Sequence, residues 1–301
     1  MTRAPSQSGF SLIELLIATG LILIIASTVT GALLQMTKHQ QTVWNRTEMH
    51  SGVRGATELM QQEVGQAGRV SLPNPVTTGG AAVIGTTTVA VSSTAGMFVG
   101  EQVVFDAGDN EETVALTAVS TGANTVTATF KRNHAAGVAV ASYGGFSQGV
   151  VPTSVANGST ATVLKMFGDI NADGNMVYVE YTCDTTAGFL YRNVMAWNAA
   201  TKPAVTPSQI LLSNITANPG GTPCFTYQTN LVGTTPYITD VAITLTVQTQ
   251  QVDPITKRRQ LETKALLNVS PRNVFNVYEL ASVGLTNRVQ PTPPSVTNLM
   301  R

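Results

Sequence analysis

The most specific arrangement of potential ligand residues is the segment D-I-N-A-D-G-N-M-V-Y-V-E at residues 169–180. It fits the pattern of a calcium-binding loop, in which side-chain oxygens and one backbone carbonyl surround the ion and a glycine makes the sharp turn. A carboxylate at the last position can bind the ion through both oxygens. The sequence therefore raises the hypothesis of a Ca²⁺ site formed by Asp169, Asn171, Asp173, Asn175 and Glu180, and no other cofactor is expected.

The segments beside this loop support a competing interpretation. T-V-L-K-M-F before it and V-Y-V-E-Y at its end read as β-strands, whereas helices flank the usual loop of this pattern. On a strand, Glu180 can point away from the other ligands, and Asp173-Gly174 is by itself a strong turn signal. A simple β-turn without metal is therefore the alternative.

Other residues that carry chemistry do not form a catalytic pattern. The three histidines, His39, His50 and His134, are dispersed, and a turn or packing role is expected for His134. The sequence has no G-x-S-x-G, no H-E-x-x-H and no phosphate-binding glycine loop. We therefore expect no enzyme activity, and we expect only solvated surface from the acidic cluster of Asp106, Asp109, Glu111 and Glu112.

A long apolar segment near the N-terminus carries a single charged residue. Residues 10–34 are long enough to cross a hydrocarbon core of about 30 Å as a helix, and Glu14 is their only charge. Because an acidic residue near the centre of such a helix costs about 2.5–3.5 kcal/mol, Glu14 indicates a partner and a function. Arg3 predicts a cytoplasmic N-terminus and a single pass through the inner membrane. An ordinary membrane anchor with a chance glutamate is the competing interpretation.

Composition limits the classes of function. The 301 residues carry 17 basic and 17 acidic side chains without a basic cluster, so nucleic-acid binding has no electrostatic basis. Low charge and 26 glycines favour an extracytoplasmic, β-rich body. Cys183 and Cys224 would then face an oxidising compartment, which favours a disulfide over two unpaired thiols.

The residues around Glu14 resemble a known processing signal. Gly9-Phe10 followed by S-L-I-E-L-L-I-A is similar to the cleavage and methylation motif of type IV prepilins and of type II secretion pseudopilins. The resemblance implies that a prepilin peptidase cleaves between Gly9 and Phe10 and that Phe10 is then N-methylated. It also implies that Glu14 pairs with the terminal amine of a neighbouring subunit. An ammonium and a carboxylate, each costly alone in lipid, lower each other's cost when paired.

Two further resemblances indicate a particular group of pilin-like proteins. R-G-A-T-E-L-M-Q-Q-E-V-G-Q-A-G-R at residues 54–69 and V-Y-V-E-Y with G-F-L-Y-R-N further along are similar to the PilW and GspJ-related minor pilins. The expected protein is a minor pilin at or near the tip of a type IV pilus. Before assembly it would lie in membrane lipid, and an inner-membrane platform would then assemble it with other pilins. It would then lie on the pilus at the cell surface or in the periplasm. The alternatives are a type II secretion pseudopilin and a tip-displayed adhesin.

The predicted architecture is α+β and pilin-like. It consists of a leader (1–9), a spine helix (10–69, with 10–34 in the membrane), an inserted small all-β module (76–149), a pilin-like antiparallel sheet domain (150–289) and a disordered tail (290–301). Apolar residues at steps of three and four from 43 to 67 predict the packed face of the helix. Short alternating segments separated by glycine and asparagine turns predict the strands of both β regions.

Overall fold

The computed structural model describes residues 9–301, so the predicted leader lies outside the described residues except for Gly9. The chain forms two compact units. The first comprises the chain up to His50 together with Thr249–Gln260, and the second comprises Ser51–Gln248 and Leu261–Arg301. A long N-terminal helix followed by antiparallel sheets confirms the predicted α+β, pilin-like fold.

Helix α1 (Leu12–Gln66) carries the predicted apolar face in its C-terminal part. Within the second unit this face is buried at residues three and four apart, which are Val53, Ala56, Met60 and Val64. The helix ends at Gln66 rather than at the predicted residue 69. Gly68 accounts for the difference, since its φ of +83° is the left-handed conformation that favours glycine after a helix C-terminus.

The region predicted as an inserted β-module forms a six-stranded sheet with the order β1-β6-β3-β4-β5-β2. Its strands are β1 (Val76–Thr77), β2 (Gly85–Ala90), β3 (Gln102–Phe105), β4 (Glu112–Ser120), β5 (Thr125–Phe130) and β6 (Ala139–Ser142). Alternate side chains point into one apolar core, where the rings of Phe105 and Phe130 meet edge to face with centroids 4.9 Å apart. All pairs in this sheet are antiparallel.

Strands β8 to β15 form two further antiparallel sheets. After β7 (Gly145–Phe146), the first has the order β11-β10-β9-β8 and comprises β8 (Val163–Gly168), β9 (Val177–Asp184), β10 (Phe189–Ala196) and β11 (Ile210–Ser213). The second has the order β12-β14-β13, with β15 paired to β14. It comprises β12 (Ile215–Thr216), β13 (Phe225–Val232), β14 (Thr235–Gln248) and β15 (Leu261–Val269).

The C-terminal segment is ordered, so the prediction of a disordered tail at 290–301 is wrong. After helix α2 (Arg272–Ser282), strand β16 (Val289–Gln290) pairs in parallel with β7, and helix α3 (Pro294–Leu299) follows. Val296, Leu299 and Met300 are buried in a core that also contains Phe98 and Phe146. The proline-rich composition suggested disorder, but the apolar side chains at these spacings complete a core built from distant parts of the chain.

Candidate functional site

Ser11 and Glu14 form a hydrogen-bonded cap at the start of helix α1. The backbone N–H and the hydroxyl of Ser11 donate to Oε2 of Glu14 at 2.9 and 3.0 Å. The N–H of Glu14 donates in return to Oγ of Ser11 at 3.3 Å. This reciprocal pattern is a capping box, which satisfies N–H groups that a helix N-terminus otherwise leaves open. Glu14 therefore has a local structural role that the sequence analysis did not predict.

The two residues of the predicted cleavage position precede this cap. Gly9 and Phe10 lie outside the helix, and the Phe10 side chain is 88 % exposed. The peptide bond between them is therefore accessible in the part of the chain that the structure describes. Cleavage there would place the new terminal amine one residue before the capping serine.

The apolar half of helix α1 is exposed along its length. The large apolar side chains from Leu12 to Met36 are all exposed, and the most apolar window of the helix has no buried residue. By length and composition this helix can cross a membrane, a test that a signal sequence near the N-terminus also passes. Exposed leucine and isoleucine on every face of a helix are typical of a segment whose surroundings are lipid or other helices.

The predicted calcium ligand Asp169 is held by protein groups. Its carboxylate accepts the hydroxyl proton of Ser71 at 2.7 Å and the N–H of Asp173 at 3.0 Å, and it lies 3.5 Å from Nε of Arg69. Asn171, Asp173 and Asn175 lie on an exposed turn, where Oδ1 of Asp173 accepts the N–H of Asn175 at 2.8 Å. The carboxylate of Asp169 thus organises the turn through its own hydrogen bonds.

Glu180 lies away from Asp169 because of the strand register. It pairs with Lys165 across the β8–β9 hairpin, four residues before Asp169, or about 13 Å along the strand. Its Oε2 accepts from the hydroxyl of Tyr178 at 3.0 Å and from Nζ of Lys202 at 3.2 Å. Burial, together with the Glu180 carboxylate, raises the pKa of the Tyr178 hydroxyl.

The five predicted calcium ligands therefore do not surround one point, and the geometry follows the β-turn alternative. Among residues 9–301, no group of three or more His, Cys, Asp or Glu side chains is placed to hold a metal ion.

Cys183 and Cys224 form a disulfide between two sheets. Cys183 lies on β9, and Cys224 directly precedes β13. Both residues are buried. The bond ties together sheets that share no strand pair with one another in the described chain.

The structure places one carboxylate of helix α1 in a buried ion pair that the sequence analysis missed. Glu63 is 5 % exposed, and both of its oxygens accept from the guanidinium of Arg192 on β10, with Nε at 3.1 and 3.2 Å. The hydroxyl of Tyr181 on β9 also donates to Glu63. Burial lowers the pKa of Arg192, but its hydrogen bonds and proximity to Glu63 outweigh this and raise it. The pair fixes the helix to a particular register on the sheet, since an unpaired charge there would be costly.

His134 lies between two carboxylates, which corrects the expectation that the acidic cluster is only solvated surface. Its Nδ1 is 3.4 Å from Oδ2 of Asp106, and its Nε2 is 3.1 Å from Oε2 of Glu112. Burial alone would raise the pKa of Glu112, but hydrogen bonds from the Lys131 backbone and from His134 lower it below the ordinary value. Because the two ring nitrogens face different carboxylates, the three side chains do not converge on one ligand position.

The N-terminal segment matches a known family model. Residues 5–30 match the family model described as the prokaryotic N-terminal methylation motif. The matched segment contains Gly9, Phe10 and the Ser11–Glu14 cap, and it indicates a protein processed in the manner of type IV pilins and pseudopilins, by a prepilin peptidase and for assembly with other pilins. Pilin-like proteins with this motif are structural subunits. Neither the curated proteins nor the solved structures give a significant match to the chain.

Proposed function

We propose that this protein is a minor pilin of a type IV pilus, close to the PilW group, which enters the fibre at or near its tip. One observation carries the proposal: the methylation motif at residues 5–30 coincides with an exposed apolar helix whose third residue, Glu14, is a carboxylate. An acidic residue in that position is unfavourable in lipid unless a positive group comes to it.

The proposed mechanism is assembly rather than catalysis. Removal of residues 1–9 frees the amine of Phe10 beside Ser11, and N-methylation leaves that amine positively charged. Both protons that Ser11 donates go to Oε2 of Glu14, and a carboxylate has about four acceptor positions. The cap therefore leaves the carboxylate able to bind the terminal ammonium of a neighbouring subunit.

The large β body supports a low-copy position. The body that follows the helix contains three large sheets, and one of them, the six-stranded module, adds bulk to the two pilin-like sheets. A subunit at the tip has no further subunit above it, so such a body meets fewer steric limits there than within the shaft. The proposed order of locations is the inner membrane, with the N-terminus in the cytoplasm, and then the fibre at the cell surface.

Substitutions at Glu14 and Ser11 separate the cap from the proposed ion pair. Glu14→Gln retains an oxygen that can accept from Ser11 and so keeps the capping box, but it removes the charge. Ser11→Ala is the matched control, because it weakens the cap and keeps the charge. We expect all variants to be cleaved and to start at methylated Phe10. We expect wild type and Ser11→Ala to be recovered in sheared pili. Glu14→Gln should be at least tenfold depleted in that fraction but retained in membranes.

Intact mass and N-terminal analysis of membrane and sheared fractions give the readout. A chain that starts at Met1, or that is cleaved beyond Thr30, would refute the pilin function altogether. Correct processing without any protein in the sheared fraction, combined with a secretion defect on deletion, would instead favour the type II secretion pseudopilin.

The adhesin alternative rests on apolar side chains that the β-module exposes, among them Val83 and Ile84. Deleting the whole module would also remove Phe98 and Phe146 from the core that they share with Trp197 and Phe167. Val83→Asp with Ile84→Asp is the sharper test. Normal piliation with lost surface attachment would favour an adhesin, whereas unchanged attachment would count against it.

A further inference from the structure

The connection between β14 and β15, Thr249–Gln260, is a folded element that we call the hairpin tip. Its two ends are joined by a hydrogen bond from the N–H of Thr249 to the carbonyl of Gln260 at 2.9 Å. At its centre, the buried carboxylate of Asp253 accepts the N–H groups of Ile255 and Thr256, each at 2.7 Å. These bonds turn the one acidic charge of the tip inward.

The hairpin tip belongs to the same compact unit as the N-terminal part of helix α1 and is attached to it. Nε2 of Gln41 donates to Oε1 of Gln251 at 2.7 Å, and Arg46 donates to Oε1 of Gln260. Beyond these contacts, a cleft of about 570 Å³ separates the tip from the helix. It is lined by Gly31, Leu34, Gln35, Lys38, His39, Pro254 and Ile255.

This attachment fixes the level of the tip along the helix. The predicted membrane segment 10–34 is longer than the about 20 helical residues that a hydrocarbon core of about 30 Å takes, so as a tilted helix it leaves the hydrocarbon close to Leu34. Ile255 borders the helix between Gly31 and His39. Lys38, the first charged residue after Glu14, falls about 6 Å beyond Leu34, within the headgroup layer. The tip therefore lies where the helix leaves the hydrocarbon.

The exposed side chains of the tip suit that position. Val252 is 51 % exposed and Ile255 is 47 % exposed, and the three consecutive basic residues 257–259 are exposed beside them. Outside the membrane segment, residues 35–50 and 249–260 carry five basic and two acidic side chains, and one of the acids is the buried Asp253. Apolar side chains flanked by cations are typical of segments that lie in a membrane interface.

We propose that the hairpin tip contacts the membrane surface, with Val252 and Ile255 in the boundary between headgroups and acyl chains. Lys257, Arg258 and Arg259 bind the phosphate groups of anionic phospholipids. The contact holds the body of the subunit at the bilayer until assembly withdraws the helix. This inference rests on the membrane anchoring of helix α1 and is independent of whether the protein serves a pilus or a secretion system.

Depth-dependent fluorescence quenching in reconstituted full-length protein tests the inference. The two cysteines of the chain are joined in the disulfide, so an introduced Ile255→Cys can be labelled selectively with an environment-sensitive dye. Vesicles contain phosphatidylglycerol and a lipid spin-labelled just below the headgroup. Thr47→Cys is the matched control, because it is exposed in the same unit and lies about 20 Å further along the helix than Leu34.

We expect the label at residue 255 to be quenched severalfold more strongly than the label at residue 47. Each basic residue near an anionic surface favours the bound state by about fivefold, so neutralising three of them shifts the balance towards the detached tip by roughly 100-fold. Lys257→Gln, Arg258→Gln and Arg259→Gln together should therefore abolish the excess quenching. The control variant Lys131→Gln, Lys264→Gln, Arg301→Gln makes the same change in net charge in the other unit and should leave the quenching intact.

Equal quenching at residues 255 and 47, or excess quenching that survives neutralisation of residues 257–259, would overturn the inference. Shielding of residue 255 that appears only when another pilin is co-reconstituted would also overturn it, in favour of a protein contact. Extraction at alkaline pH monitors the premise in the same vesicles. Protein that is extracted lacks the membrane anchoring, whereas protein that is retained without quenching contradicts only the role of the tip.

Discussion

The carboxyl group of Glu101 should make the free energy of unfolding of the second compact unit, which contains the sheets, depend on pH. Glu101 lies directly before β3 and is completely buried. Its carboxyl group accepts the N–H of Phe98 at 3.2 Å and the hydroxyl of Ser142, and both donors are neutral. Burial raises the pKa of Glu101 from 4.5 to about 7, although the hydrogen bonds from Ser142 and Phe98 act in the opposite direction.

The sign and size of the effect follow from this difference in pKa. Between pH 4.5 and about 7 the folded state keeps a proton at Glu101 that the unfolded chain has released, so the free energy of unfolding falls as the pH rises. At about 1.4 kcal/mol per pH unit, the total loss approaches about 3 kcal/mol. Most of this loss, roughly 2–3 kcal/mol, falls between pH 5 and pH 8.

Glu101→Gln removes this dependence. The amide resembles the protonated acid, because its oxygen can accept from Phe98 and its NH₂ group can donate to Ser142. We expect the free energy of unfolding of the variant to gain roughly 2–3 kcal/mol relative to wild type on going from pH 5 to pH 8. Trp197 reports unfolding, since its ring is 5.8 Å from that of Phe98, and Trp44→Phe makes it the only tryptophan of the chain.

Urea titrations of the full chain in detergent, followed by Trp197 fluorescence, give the free energies at each pH. Glu279→Gln, an exposed change on helix α2, is the matched control and should track wild type at every pH. Parallel pH profiles for wild type and Glu101→Gln would refute the reasoning. Such a result would mean that the buried carboxyl is solvated or paired in solution.

Three further predictions concern the disulfide, the turn at residues 169–180 and the C-terminal segment. Replacing Cys183 and Cys224 together by serine should lower the free energy of unfolding by about 4 kcal/mol in urea titrations, because the bond spans 41 residues of chain; an unchanged midpoint would contradict this. Calcium should leave the melting temperature unchanged, and a saturable rise that Asp173→Ala removes would restore the calcium hypothesis. Gln290→Ala should lower the free energy of unfolding by about 2–4 kcal/mol, because the side chain accepts the N–H of Gln102 and donates to its carbonyl. In hydrogen exchange, the protection of the Gln102 amide should fall accordingly.

Local patterns predicted most of the strands because each strand alternates between core and solvent. Strand β5 (Thr125–Phe130) shows this alternation, since Val126, Ala128 and Phe130 are buried in the core at every second position. Helix α2 was missed, although Val274 and Val277 recur at helical spacing and are buried. Helix α3 could not be predicted in the same way, because its core partners Phe146 and Phe98 lie about 150 and about 200 residues earlier in the chain.

The same division between local and distant information holds for the candidate site. The processing motif and the Ser11–Glu14 cap lie within a few residues, and the S-x-x-E pattern of the cap was available in the sequence. The ion pair of Glu63 with Arg192 joins residues 129 apart, and only the packing of the helix on the sheet brings them together. The calcium pattern shows the converse case. Its spacing describes a closed loop, whereas the β8–β9 register carries Glu180 away from Asp169.

The cap at Glu14 favours the proposed pairing of its carboxylate with the terminal ammonium of a neighbouring subunit. Ser11 supplies two hydrogen bonds to the carboxylate but no charge, so the cap occupies part of its acceptor positions without neutralising it. In lipid, a cation lowers the remaining cost of the negative charge, and the terminal ammonium of a processed neighbour is such a group. Because the cap already holds the carboxylate towards the start of the helix, pairing requires little further loss of side-chain freedom. A helix that carried the glutamate in mid-turn without the cap would pay that ordering cost at the moment of assembly.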